Sequence, residues 1–235
     1  MGTNWTAGGS LSTGRRDLGG FGIQTAAVAC GGQDGSALNA TEEYNGSSWT
    51  ASNNMGTARF SLAAAGADQT GIAFGGQVGT SAVALSEEYD GSGWTTAPVL
   101  GSARLNLGGT GTLTAAVAFG GAGYTAATEE YNSNILSPRT GVWAASTNLP
   151  GARNNSSVSQ SGTTNAAYAA GGSNPGAPYA PDTPTVEYNG SSWTAGGNLS
   201  TGRLSAGSGG TLTAGLTWGG FQGPGVGDNT NTTEE

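Results

Sequence analysis

Five times along this chain a Trp is followed six residues later by Leu or Met and ten residues later by Arg. The copies are Trp5/Leu11/Arg15, Trp49/Met55/Arg59, Trp94/Leu100/Arg104, Trp143/Leu149/Arg153 and Trp193/Leu199/Arg203. Sixteen residues past the Arg comes a Gly-Gly pair, at Gly31-Gly32, Gly75-Gly76, Gly120-Gly121 and Gly219-Gly220; in the fourth copy the gap is eighteen, ending at Gly171-Gly172. A Glu then follows at variable distance: Glu43, Glu88, Glu130, Glu187 and Glu235. A fixed gap marks a packed framework, and a variable one marks a surface loop that tolerates insertion. Self-similarity at 44 to 50 residues between tryptophans implies a repeat architecture in which each unit buries its apolar face on the next.

Each unit reads as four short strands. The segment before Gly-Gly alternates with period two: Val28/Cys30, Ile72/Phe74, Val117/Phe119, Tyr168/Ala170 and Leu216/Trp218 share one face, with Ala29, Ala73, Ala118, Ala169 and Thr217 on the other. The fourth and fifth copies trade large and small positions, as volume balancing within one packed layer would require. The segment after the Arg is poor in bulk, as in Leu107-Gly108-Gly109-Thr110-Gly111, which suits strands that approach one another closely at a central axis. Glu-Tyr and Trp-Thr-Ala form two more strands. The turns between them, Asn45-Gly46-Ser47-Ser48 and Asp90-Gly91-Ser92-Gly93, have the residues that accept positive φ in hairpins. We label the strands A (after Arg), B (before Gly-Gly), C (Glu-Tyr) and D (Trp). Four antiparallel strands per unit and five units predict an all-β, five-bladed propeller that spans residues 1–235 as one domain.

The order of Arg, small-residue strand, apolar strand ending in Gly-Gly, variable loop, Glu-Tyr-Asn/Asp-Gly, Trp and Leu/Met resembles the kelch repeat over essentially the whole chain. The Gly/Ala/Thr/Asn-rich wording of the copies, as in Glu42-Glu43-Tyr44-Asn45-Gly46-Ser47-Ser48-Trp49-Thr50, is similar to Gly-rich kelch-like repeats in structural proteins of marine bacteriophages. That resemblance implies a kelch-like propeller and a place in a virion or surface assembly. Kelch propellers more often have six or seven blades. Met1-Gly2-Thr3-Asn4-Trp5 overlays Asn45-Gly46-Ser47-Ser48-Trp49, and Thr233-Glu234-Glu235 lies within a C strand. The expectation is that the N-terminal strand completes the last blade, closing a monomeric ring and protecting sheet edges. The rival reading is a part of a longer kelch array.

Composition removes several functions. Net charge is −8, with no Lys, no His and seven Arg, so no basic face exists to neutralise the phosphates of nucleic acid or an anionic membrane surface. No apolar run approaches the ~20 residues of a membrane-spanning helix, and the N-terminus lacks the charged and apolar regions of a signal peptide. Without His the usual zinc and copper sites and the Ser-His-Asp triad are removed. Cys30 sits where Phe74 and Phe119 sit, so it reads as a small buried hydrophobe. No cofactor and no metal is expected; the alternative is calcium held by Asp34, Asp182, Asp228 and loop carbonyls, although Asp in a Gly-rich loop is more often turn chemistry.

Arg15, Arg59, Arg104, Arg153 and Arg203, with Glu43, Glu88, Glu130, Glu187 and Glu235, recur in every unit. Chemistry needs particular residues once, whereas a framework needs them in every blade. These ten therefore read as structural, the Arg bonding carbonyls or a carboxylate. Neighbouring Glu residues on a strand point to opposite faces, so they do not form a dyad. What varies is the B–C loops, which emerge with the D–A loops on one face. The third carries Tyr124, the fourth Tyr179 and Asp182, and the fifth Phe221, Gln222 and Asp228. Aromatic rings beside Asp and Gln suit a glycan or small polar ligand. The reading is a non-catalytic propeller that binds or displays, recognising a glycan or protein partner through this face. Its alternatives are a purely architectural module and, more remotely, an enzyme working with carboxylates at the axis.

Overall fold

A computed structural model of the chain describes residues 6–133, 141–158, 166–174, 180–223 and 229–235. Among them every regular element is a β-strand. The first blade is β1 (Gly19–Ile23), β2 (Ala26–Cys30), β3 (Thr41–Tyr44) and β4 (Trp49–Ser52). The second is β5 (Ala63–Ala67), β6 (Thr70–Phe74), β9 (Ser86–Tyr89) and β10 (Trp94–Ala97), with a small hairpin, β7 (Gln77–Val78) and β8 (Ser81–Ala82), in its B–C loop. The third is β11 (Gly108–Thr112), β12 (Ala115–Phe119), β13 (Thr128–Asn132) and β14 (Val142–Ser146). The fourth is β15 (Ser157–Val158), β16 (Ala167–Ala170), β17 (Thr185–Tyr188) and β18 (Trp193–Ala195). The fifth has β19 (Gly207–Thr211), β20 (Ala214–Trp218) and β21 (Thr233–Glu234). Every pairing is antiparallel between sequence neighbours, apart from the step over the β7–β8 hairpin, and the sheets form a five-bladed β-propeller.

The A strands surround a small axial cavity of about 250 Å³, lined from all five blades by Gly19, Ala63, Gly109, Ser156 and Gly207 among others. Small residues are required there: a Cβ at Gly109 would stand 2.9 Å from the Ala63 Cβ and 2.5 Å from the Phe74 ring. The residue two past each framework Arg, namely Asp17, Ser61, Asn106, Asn155 and Ser205, has φ between 50° and 57°. These left-handed residues link blades: Ser61 N–H donates to Asp17 O at 2.8 Å, Asn106 to Ser61 at 2.9 Å and Ser205 to Asn155 at 3.1 Å.

Seams between blades are packed by aromatic rings. Trp94, Trp143 and Trp193 each tilt against the Tyr of their own hairpin, with centroids 4.9 Å apart for Tyr89 and Trp94 and 5.0 Å for Tyr188 and Trp193. The same indoles meet the preceding blade edge-on, Trp143 on Phe74 and Trp193 on Phe119, both at 4.9 Å. The exchange of large and small residues in the last two B strands has its counterpart in space, because a Cβ at Gly215 would lie 2.5 Å from the Tyr168 ring.

The N-terminal strand expected to complete the fifth blade begins at Trp5, which lies outside the described residues. Residues 6–11 carry no strand, and the fifth sheet has three strands among the described residues. Residues 8–12 nevertheless occupy, against the first blade, the place that a D–A connection takes in the others. Ser12 N–H donates to Glu42 Oε2 at 2.8 Å, as Gly56 does to Glu87 and Gly101 to Glu129, both at 2.6 Å. Gly8 faces the Tyr44 hydroxyl, as Ser52 faces Tyr89 and Ser146 faces Tyr188.

Candidate functional site

The framework arginines are bound as structural cations. Arg59 is buried, and its guanidinium donates to Gly75 O (2.9 Å), Leu85 O (2.7 Å), Ala73 O (3.2 Å) and Glu87 Oε1 (3.2 Å). Arg104 repeats this with Gly120 O, Ala127 O and Glu129, and Arg203 with Gly219 O, Thr232 O and Glu234. Burial pushes the Arg59 and Arg104 guanidiniums down from their usual range, and Glu87 and Glu129 oppose the shift. Each blade thereby ties its A-strand entry to the end of strand B and the start of strand C.

The carboxylate that meets the Arg is the first of each Glu pair: Glu42, Glu87, Glu129 and Glu234. The second, on the opposite face, serves the neighbouring blade. Glu43 accepts the Tyr89 hydroxyl, Glu88 that of Tyr131 at 2.5 Å and Glu130 that of Tyr188. Burial pushes the Tyr89 phenol up to about 12, with Glu43 adding to the effect, so the phenol stays the donor. Sequence reasoning singled out the second Glu as the recurrent one and missed the first. The fourth repeat holds the signal, since Val186 precedes Glu187 there and only the second position is acidic in all five copies.

Of the residues proposed for the loop face, the structure describes Tyr124, Asp182, Phe221 and Gln222. Tyr179 and Asp228 lie outside the described residues. Tyr124 is half-buried in the third B–C loop with φ of 52°. Asp182 accepts Asn174 Nδ2 at 2.8 Å, and its backbone bridges Gly172 O and Arg203 N. It also supplies the charge opposing the burial of Arg153, whose own blade has Val186 in the Glu place. Phe221 is 43% exposed, yet its backbone is held by reciprocal hydrogen bonds with Leu204, both 2.9 Å. Gln222 follows it, exposed. Neither cavity described here is lined by Tyr124, Asp182, Phe221 or Gln222.

The larger cavity, about 510 Å³, opens between the fourth and fifth blades. Tyr168, Ala170, Leu199 and Gly215 form apolar walls, and Thr185, Glu187, Glu234 and Glu235 supply oxygen acceptors.

The class defined by this geometry is a five-bladed β-propeller with Arg-locked blades and variable loops. A solved structure titled "Structure of YjhT" is similar over 98% of this chain and 84% of that one, with a TM-score of 0.75 and 13% identity, a likeness of fold alone. No protein-family description and no curated protein matches the sequence.

Proposed function

We propose that this propeller is a kelch-type binding or display module with no catalytic role, which presents its B–C/D–A face to a glycan or protein partner in a phage virion or surface assembly. The kelch and phage parts of this reading rest on the sequence resemblance. The observation that carries the binding face is Phe221, an exposed ring on a backbone locked at both its N–H and its C=O, with Gln222 beside it. A fixed aromatic platform next to an amide is what stacking and orienting a sugar ring calls for, because little ordering entropy remains to be lost on binding.

The test is a glycan array probed with the wild type and with Tyr179→Ala and Phe221→Ala, each checked for fold by circular dichroism. Binding that both substitutions weaken supports the reading. Binding that neither alters moves the site off this face, and the absence of any glycan binder leaves a protein partner, sought by capture with the same two variants as controls.

A further inference from the structure

Among the described residues, the non-glycine positions with positive φ are the five that lie two past each framework Arg, Asp68 in the turn between β5 and β6, and Tyr124. Tyr124, at 52° in the third B–C loop, has no counterpart among the described residues of the other B–C loops. Loop length accounts for the left-handed turn. Gly120 N–H closes this loop on Ala127 O at 3.0 Å. The matching bonds of the other blades run from Gly31 to Ala40, Gly75 to Leu85, Gly171 to Pro184 and Gly219 to Thr232, so the third loop is the shortest. Gly, Asn and Asp meet such a turn at least cost, and a bulky ring there is an outlier.

The turn is dictated by the loop, but the tyrosine is not. Backbone groups hold the loop on both sides of it: Gly121 N–H donates to Arg153 O at 3.1 Å, Ala122 N–H to Leu105 O at 2.7 Å and Ala127 N–H to Thr125 Oγ1 at 3.0 Å. Tyr89, Tyr131 and Tyr188 each pack on a Trp and donate to a Glu. Among the described residues the Tyr124 hydroxyl has no hydrogen-bond partner, and its ring packs on no other ring. The side chain is half-buried, so part of it is open to a ligand. A residue kept in a strained conformation without such structural contacts points to function.

Charge narrows the ligand. The chain has no Lys, no His and seven Arg. Arg15, Arg59, Arg104 and Arg203 are paired with Glu42, Glu87, Glu129 and Glu234, and Arg153 bonds Gly171 O and Pro184 O. Arg16, bridged to Gln33 at the base of the first B–C loop, is paired with Asp17 at 3.1 Å. Arg139 belongs to the C–D segment outside the described residues. Among the described residues the loop face thus has no unpaired cation, which the carboxylate or sulfate of an acidic sugar calls for. We infer that the ligand of the loop face is an uncharged glycan and that Tyr124 contacts it. The ring stacks on the apolar side of a pyranose, and the hydroxyl bonds a sugar hydroxyl. This inference rests on the glycan reading of that face.

The experiment sets neutral gluco- and galacto-oligosaccharides beside their sulfated and uronic-acid counterparts on one array. Wild type, Tyr124→Asn, Tyr124→Phe and Phe221→Ala are applied to it, and urea midpoints are measured for each chain. The expected result is wild-type binding to neutral glycans about tenfold tighter than to the acidic counterparts. Tyr124→Asn is expected to keep or raise the urea midpoint, since Asn accepts the left-handed turn, and to weaken binding about tenfold. Tyr124→Phe removes the hydroxyl alone, so the midpoint should hold while binding weakens about fivefold. Acidic glycans bound as tightly as neutral ones, a lowered midpoint in Tyr124→Asn, or undiminished binding in Tyr124→Phe overturns the inference. Binding that Phe221→Ala weakens and Tyr124→Asn does not overturns it while leaving the glycan reading standing. No binding to any glycan on the array overturns both.

Discussion

Tyr131 donates its hydroxyl to Glu88 at 2.5 Å, from the third blade to the second. Among the described side chains this is the donor Glu88 has, because the place that Ser52 fills for Glu43 is Ala97 here. Removing the hydroxyl leaves a carboxylate in the seam without its partner, which costs about 1–3 kcal/mol. Tyr131→Phe is therefore expected to lower stability in urea unfolding by that amount. Tyr89→Phe is expected to cost less, because Glu43 keeps Ser52 and Gln69. Equal losses in the two variants would show that ring packing, not the carboxylate, sets the effect.

Arg104 bonds two carbonyls and Glu129 while only 3% exposed. Arg104→Met leaves Glu129 uncompensated and is expected to cost about 3–5 kcal/mol, as breaking a buried pair on one side generally does. Arg16 pairs with Asp17 at 3.1 Å, but its side chain is 71% exposed. Arg16→Met is expected to change stability by less than about 1 kcal/mol, since water screens such pairs. Urea midpoints of the two variants check the contrast directly.

The five-fold framework was legible because its spacings are covalent facts: Trp, Leu or Met, Arg and Gly-Gly recur at nearly fixed separations, and each falls in a locked position. In the loops the structure adds contacts that no spacing announces, such as the hydrogen bond Asp182 accepts from Asn174. The left-handed residues two past each Arg were visible in principle, as all five are Asp, Asn or Ser; Asp and Asn tolerate that conformation best.

Gly75 has φ of 64°, and a Cβ there would stand 2.7 Å from Arg104 O and 2.9 Å from a Leu107 methyl. Gly79 has φ of 58° and open space around it. Gly79→Ala meets only the left-handed penalty of about 1–2 kcal/mol. Gly75→Ala must also displace backbone, and is expected to cost more than about 4 kcal/mol or to prevent folding. Thermal unfolding of the pair separates backbone strain from close approach.

The Cys30 thiol is pushed up to about 12 by burial, against the opposing pull of Arg59 and Arg15. The folded chain keeps it protonated where the unfolded chain ionises from about 9.0 upward. Stability from this group is complete below that value and falls as pH rises towards 12, because the unfolded state then binds fewer protons. Tyr89, also pushed up to about 12, adds a loss of the same sign above its ordinary 10.0. Urea midpoints should fall between pH 8 and pH 11, and thiol labelling at pH 8 should proceed only at the rate of unfolding. Rapid labelling of the native chain would show that Cys30 is accessible.

Arg153 bonds Gly171 O at 3.1 Å and Pro184 O at 2.8 Å, but Val186 stands where Glu42, Glu87 and Glu129 meet the other arginines. Burial pushes its guanidinium down from the usual range, and Asp182 supplies the opposing charge. Asp182→Ala is therefore expected to destabilise the fourth blade by about 1–3 kcal/mol, through loss of a charged hydrogen-bond partner and of the countercharge. Val186→Glu restores the arrangement of the other blades, and in the Asp182→Ala background it should recover about 1 kcal/mol or more. The same cycle separates scaffold from ligand. If Asp182 contacts a partner on the loop face, Val186→Glu restores stability without restoring binding. If Asp182 acts only by holding Arg153 in place, stability and binding return together.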